Sequence, residues 1–173
     1  MTDPIVGGLR RRLIKDSFYT MMNTALTDLG WYKKNTGLMN EPFVFLSEQV
    51  DTEQAIKPNT VGFSFENMVS SEVELGSDLT EDRWNVYVDI LAEDEAVGTH
   101  LSGDIMDILR GKFTKIGRGK PSYQVYDLKG NEAFIVGFDN VDINRVRDWV
   151  SPHNKFWWIV ACEAVDYYYD DLI

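Results

Sequence analysis

The pattern of apolar side chains changes from a period of two to a period between three and four within one stretch, residues 82–111. Its first half places four apolar side chains on one face of a strand: Trp84, Val86, Val88 and Ile90. In its second half, apolar residues recur at every third or fourth position, as in a helix with one apolar face: Val97, Leu101, Ile105, Ile108 and Leu109. These periods predict a half-buried strand that leads directly into a helix near residues 94–110. Asp94 or Thr99 can cap the start of that helix, and Gly111 suits its end.

A second stripe at helical spacing lies near the start of the chain: Leu9, Leu13, Ile14, Phe18, Met21, Met22, Ala25, Leu26 and Leu29. It predicts a long N-terminal helix that stops at Gly30, where glycine tolerates the left-handed conformation. Short alternating segments predict strands at 31–32, 42–46, 60–65, 70–75, 123–128, 133–138 and 146–150. Residues 155–169 are apolar on both alternating faces for most of their length, which is typical of a central strand.

These elements predict an α+β fold, a mainly antiparallel sheet covered by the long N-terminal helix and by the second helix near residues 94–110. Antiparallel pairing is expected because parallel neighbours need a crossover of a dozen or more residues. The strand before the second helix should lie inside the sheet, and Trp84, Val88, Leu101, Ile105 and Trp158 should meet beneath that helix. A chain of 173 residues, 44% of them hydrophobic, fits a single domain spanning 1–173.

The net charge of −11, from 28 acidic and 17 basic residues, argues against a protein that grips phosphate backbones. It does not exclude a protein past which DNA slides. The single cysteine, Cys162, lies in an apolar run, so no intramolecular disulfide is possible and a buried, inert thiol is expected. No signal peptide and no membrane span are recognisable, which predicts a protein made and used in the cytoplasm, or exported only as part of something larger.

Catalytic signatures are missing from the sequence. His100 and His153 lack metal-ligand spacing, and no serine lies in a nucleophile elbow. The segment 139–144 lacks the glycine and glutamate of a calcium loop. The best enzymatic alternative is a small metal-dependent nuclease that uses Asp89 and Glu93–Glu95, although acids at a helix start explain the same residues. We therefore predict no enzyme, no catalytic residue, no metal and no cofactor.

The charges are distributed unevenly along the chain. Bases concentrate at 10–15 and 110–120, and acids at 48–54, 78–82, 89–95 and 163–171. Basic and acidic patches on one molecule allow copies to bind head to tail, which gives a ring when the rotation closes. The residues predicted to form the subunit interface are Arg10, Arg11, Arg12, Lys15, Lys112, Lys115, Arg118, Lys120, Asp170 and Asp171.

The order of elements resembles that of the tail terminator and tail completion (head–tail joining) proteins of long-tailed bacteriophages. The likeness rests on a long N-terminal helix, the strand Trp84–Ala92, the helix at 94–110, the apolar strand at 155–169, the size and the acidity. It implies a structural virion protein, a hexameric ring that closes the head-proximal end of the tail tube. Such a ring binds the tail tube protein and connector proteins, and DNA passes through its acidic lumen without specific binding. Another neck or head–tail connector protein is the alternative from the same class.

Overall fold

A computed structural model of the protein describes residues 7–31, 44–47, 59–73, 76, 78–111, 121–150 and 156–169. In chain order the elements are α1 (Gly7–Asp28), β1 (Val44–Ser47), β2 (Asn59–Glu72), β3 (Leu79–Ala92), α2 (Glu95–Leu109), β4 (Ser122–Tyr126), β5 (Glu132–Val150) and β6 (Phe156–Tyr169). The strands form one sheet in the order β1-β2-β3-β6-β5-β4. The predicted α+β fold, with a long N-terminal helix and an antiparallel sheet, is confirmed.

Four of the five pairs of neighbouring strands are antiparallel, and the pair formed by β1 is the exception. It pairs parallel with β2, from Val44 opposite Asn59 to Ser47 opposite Gly62. The expectation of antiparallel pairing is therefore wrong for this edge of the sheet. The connection 48–58 is long enough to return the chain to the end of the sheet from which β1 started, which a parallel neighbour requires.

The two central strands are β3 and β6, as their apolar patterns predict. They pair along their whole length without a register shift, from Leu79 opposite Tyr169 to Ala92 opposite Phe156. Burial alternates strictly along β3 until its last residues, and the even-numbered side chains are the buried ones. Both helices pack on this buried face. Phe18 of α1 contacts Phe63 with ring centroids 4.9 Å apart, and Gly98 of α2 lies against Trp158.

Two pairs of predicted strands are in fact single strands with irregularities. The segments 60–65 and 70–75 were expected to be separate, but β2 runs through both, with a shift in register between Glu66 and Val69. The segments 133–138 and 146–150 likewise belong to β5, which shifts register between Asp139 and Asp142. Each irregularity contains an asparagine with positive φ, Asn67 at 49° and Asn140 at 53°. Asparagine tolerates this conformation better than most residues, so a β-bulge forms where a strand break was predicted.

The ends of the helices follow the predicted chemistry. Asp94 caps α2, and its carboxylate accepts hydrogen bonds from the backbone N–H groups of Ala96 and Val97 at 2.7 and 3.1 Å. Thr99 lies inside the helix, where its hydroxyl donates to the carbonyl of Glu95. Gly30 and Gly111 have φ of 84° and 77°, and each follows a helix end. Both helices thus end where a left-handed residue stops them.

The core lies between the helices and the sheet. The five residues expected to meet beneath α2 all belong to it: Trp84, Val88, Leu101, Ile105 and Trp158. The closest approach is made by Gly98, because a Cβ atom at this position would lie 2.0 Å from Cζ3 of Trp158. A glycine here lets the first turns of α2 rest directly on the indole ring.

Two glycines of α2 give opposite predictions for substitution by alanine. Gly98→Ala should lower the free energy of unfolding by about 1 to 3 kcal/mol, because the buried Trp158 cannot move aside without repacking the core. Gly103→Ala should raise it by about 1 kcal/mol, because no atom lies within 4 Å of the new Cβ and alanine favours the helix. Urea unfolding of both variants measures the difference. Equal stabilisation by the two substitutions would mean that α2 does not pack on Trp158.

Candidate subunit interface

Among the predicted interface residues that the structure describes, Arg10 is the one whose charge is paired with a buried carboxylate of its own chain. Its Nε and Nη2 atoms donate to the two carboxylate oxygens of Asp166 at 2.6 and 2.7 Å. The guanidinium also lies 3.6 Å from the ring centroid of Phe134 and 4.9 Å from that of Tyr168. The side chain of Asp166 is fully buried and that of Arg10 is 15% exposed. This charge therefore ties the first turns of α1 to β6 and is not free for a neighbouring subunit.

A second carboxylate lies beside this ion pair. Asp82 of β3 is directly opposite Asp166 of β6, on the buried face of the sheet. Among the described side chains, the Oδ1 atom of Asp82 is buried without a hydrogen-bond partner. Burial raises the pKa of Asp166, the hydrogen bonds from Arg10 oppose this rise, and the neighbouring Asp82 adds to it. Two buried acids thus lie opposite each other in a place where charge is costly, and Arg10 pairs with Asp166.

The other bases of the first helix are exposed. Arg12 pairs with Asp16 one turn later at 3.4 Å, and both side chains are well exposed. Arg11 and Lys15 are also exposed, and within the described part of the chain neither takes part in an ion pair. These bases are available to a neighbour, and their role in an interface stays a prediction. The other six predicted interface residues lie outside the described residues: Lys112, Lys115, Arg118, Lys120, Asp170 and Asp171.

The face of the sheet that the helices leave open is acidic. Six carboxylates of β2, β3, β5 and β6 have register partners on this face: Glu66, Glu81, Asp89, Asp139, Asp142 and Glu163. Among the side chains described in these strands, Arg83 is the only Lys or Arg on the same face. The bases of α1, in contrast, lie in the helix layer. The fold therefore separates charges that the sequence interleaves.

Arg83 is paired with several carboxylates in the middle of this open face. It forms ion pairs with Glu81, with Asp139 at 3.5 Å and with Glu163 at 3.1 Å. The hydrogen bond from Arg83 lowers the pKa of Glu81, so this carboxylate stays charged. Asn140, in the bulge of β5, donates to Glu163 at 2.7 Å. One base thus neutralises part of a surplus of acids and leaves the face negative.

The nuclease alternative required Asp89 and Glu93–Glu95 to act together. Asp89 accepts a hydrogen bond from Nε1 of Trp157 at 2.8 Å, and burial raises its pKa. Asp94 is used as the cap of α2. Over the described ranges, no three His, Cys, Asp or Glu side chains are placed to hold a metal ion. Cys162 is buried as expected, and burial raises the pKa of its thiol to about 12, so it stays protonated.

Sequence reasoning missed both the acid pair at Asp82 and Asp166 and the gathering of acids on one face. Part of the second feature is visible in the sequence, since Glu81 and Asp89 alternate with apolar residues of the same strand. The rest depends on which strands become neighbours. The Asp82 pair needs the register between β3 and β6, which places residues far apart in the chain opposite each other.

A comparison with known protein families finds no family that matches this chain, and a comparison with curated proteins finds no match either. The described helices include none that is long and apolar enough to cross a membrane.

The ion pair predicts a large difference between two neighbouring arginines. Arg10→Ala should lower the free energy of unfolding by about 3 to 5 kcal/mol, because it leaves Asp166 buried without its base. Arg12→Ala removes the same charge from an exposed pair and should cost less than about 1 kcal/mol. Urea unfolding at neutral pH measures both. Similar small losses for the two variants would show that the Arg10 pair does not stabilise the fold.

The acid pair predicts a stability change that depends on pH. A raised pKa in the folded state means that Asp166 favours folding most below its ordinary pKa, and that this contribution is lost as the pH rises through the folded value. Asp82→Asn removes one cause of the rise and supplies an amide that can donate to Asp166. It should therefore raise the free energy of unfolding by about 1 kcal/mol at pH 7 and by less at pH 4. Unfolding at both pH values is the measurement.

Glu132→Gln, an exposed carboxylate on β5, is the control for this change and should have little effect at either pH. An equal gain at pH 4 and pH 7 for Asp82→Asn would contradict the charge explanation.

Proposed function

We propose that this protein is a structural component of a phage virion. In this proposal it forms a ring, hexameric by resemblance, at the head-proximal end of the tail tube, where it terminates tail growth and joins the tail to the head. The order of elements supports this function, since α1, β3, α2 and β6 follow one another as the resemblance requires. The observation that carries the proposal is the acidic open face of the sheet.

An acidic face suits the wall of a channel through which DNA moves. The six acids lie on one side of a continuous sheet, and Arg83 neutralises only part of their charge. Electrostatic forces extend over about 8 Å at physiological ionic strength, so a carboxylate wall close to DNA repels its phosphates. Repulsion from all sides centres the DNA and avoids the contacts that would hold it. We therefore assign the open face to the lumen.

The separation of charges also supports a head-to-tail ring. Arg11, Arg12 and Lys15 are exposed in the helix layer, on the opposite side of the sheet from the acids. A heterologous contact between unlike surfaces leaves no free end only when it closes into a ring. Exposed ion pairs contribute about 0 to 1 kcal/mol each, so the isolated subunit can remain a monomer until the tail tube supplies a template and more buried area.

Electron microscopy of intact virions, averaged at the neck, tests the location. A closed ring of this protein directly on the tail tube is the expected result. A ring elsewhere in the neck would favour the alternative connector protein. Absence from particles, or single copies scattered over the capsid, would contradict a function in the neck.

A charge reversal tests the assignment of the open face to the lumen. Asp142→Lys replaces an exposed acid of this face and should leave rings intact while slowing DNA ejection, because lysine attracts the phosphates. The neutral variant Asp142→Asn is the matched control and should eject DNA at close to the normal rate. Ejection of labelled genomes from purified particles is the measurement. Unchanged ejection by the lysine variant would exclude this face from the lumen.

A further inference from the structure

A pocket of about 200 Å³ lies between α1 and the central part of the β2–β3 pair. Its floor is apolar, formed by Ile14, Phe65, Met68 and Trp84, and Arg11 and Lys15 lie at its rim. The bulge in β2 helps to form it. Glu66 pairs with Asn85 and Val69 with Arg83, so two residues of β2, Asn67 and Met68, face Trp84 alone. The extra residue bends β2 and leaves Phe65 and Met68 only partly buried.

The bases at the rim lack a counter-charge within the described part of the chain. Arg11 and Lys15 are one helical turn apart, an arrangement in which like charges repel. Their neighbours are already paired, Arg10 with Asp166 and Arg12 with Asp16. Glu66 also borders the pocket, but its carboxylate lies on the open face of the sheet, where it accepts a hydrogen bond from Ser64, so the two bases leave the pocket positive. A ligand for this site must therefore carry negative charge and an apolar side chain next to each other.

We propose that the pocket binds the segment 170–173, Asp-Asp-Leu-Ile, of a neighbouring copy, an inference that rests on the proposed ring. The two aspartates complement Arg11 and Lys15, and Leu172 or Ile173 enters the apolar floor. The volume is sufficient, since a cavity of about 150 Å³ holds a benzene molecule. Each subunit then extends its strand β6 onto the helix layer of the next, which is a heterologous contact.

The register of the central strands explains why the segment comes from another copy. Tyr169 lies opposite Leu79, whereas Trp84, in the pocket, lies opposite Ala164. The strand has thus run about 17 Å past the pocket by Tyr169, at about 3.4 Å per residue. Residues 170–173 extend over at most about 14 Å and would first have to reverse direction. The segment therefore fits the pocket of a neighbour and not its own.

Binding of a labelled synthetic peptide with residues 168–173 to the full-length protein tests the pocket, by fluorescence anisotropy. Saturable binding that Arg11→Glu or Lys15→Glu weakens at least tenfold is the expected result. Arg12→Glu is the matched control, since it makes the same charge change one residue away, on a side chain that is 72% exposed and does not line the pocket. Circular dichroism checks that each variant is folded.

Peptide variants separate the two parts of the contact. Replacing both aspartates by asparagine should weaken binding at least tenfold, and replacing Leu172 and Ile173 by serine should do the same. An equal loss with Arg12→Glu would show a general attraction to positive charge and would overturn the proposal. Failure of the peptide to bind would overturn it as well.

Cysteine pairing tests the exchange between copies. A chain with Met68→Cys mixed with a chain with Leu172→Cys should give a disulfide-linked dimer of mixed composition, and Thr20→Cys, exposed on α1 away from the pocket, should not pair with Leu172→Cys. A chain that carries both Met68→Cys and Leu172→Cys is the further test. If it forms the disulfide only within itself, the proposal that the segment comes from a neighbouring copy is overturned. The proposed ring and the proposed pocket contact can be disproved independently of each other. A ring in virions with no peptide binding would overturn the pocket alone, and peptide binding without a ring would leave this contact standing and contradict the neck function.

Discussion

The pairing of β3 with β6 is the constraint on which the rest of the structure depends. Both strands are 14 residues long and pair without a register shift. Because side chains alternate along each strand, one register decides the content of both faces at once. It puts Trp84 and Trp158 beneath the helices and Asp89 and Glu163 on the open face. A slip by one residue would exchange the two sets, so the core and the acidic face are consequences of the same ladder.

The elements with strong local signals could be predicted from the sequence. Both helices show apolar stripes, an acid caps α2 and glycines end both helices, so their positions follow from side chains a few residues apart. The central position of β6 follows from its unbroken apolar character. The bulges at Asn67 and Asn140 could not be predicted, because a tolerated left-handed asparagine resembles the start of a turn in sequence. The parallel pairing of β1 could not be predicted, because residues 48–58, which separate β1 from β2 in the sequence, carry no apolar pattern.

The candidate interface was predictable only in part, and the reason is again distance along the chain. The basic character of residues 10–15 is plain in the sequence, but the partner of Arg10 is 156 residues away. The sequence therefore cannot distinguish Arg10, which is used for the fold, from Arg11 and Lys15, which remain available. Likewise, six acids scattered from Glu66 to Glu163 become one surface only when β2, β3, β6 and β5 are set side by side.

The strand order has a consequence for synthesis of the protein. The strand that joins the two halves of the sheet, β6, follows all the other strands in the chain. Until it leaves the ribosome, β2–β3 and β5–β4 are two separate antiparallel pairs, and β3 and β5 each present an unpaired inner edge. Such edges can pair with other chains. Arg10 must also wait for Asp166, so neither the sheet nor the attachment of the first helix can be completed during translation of residues 1–155.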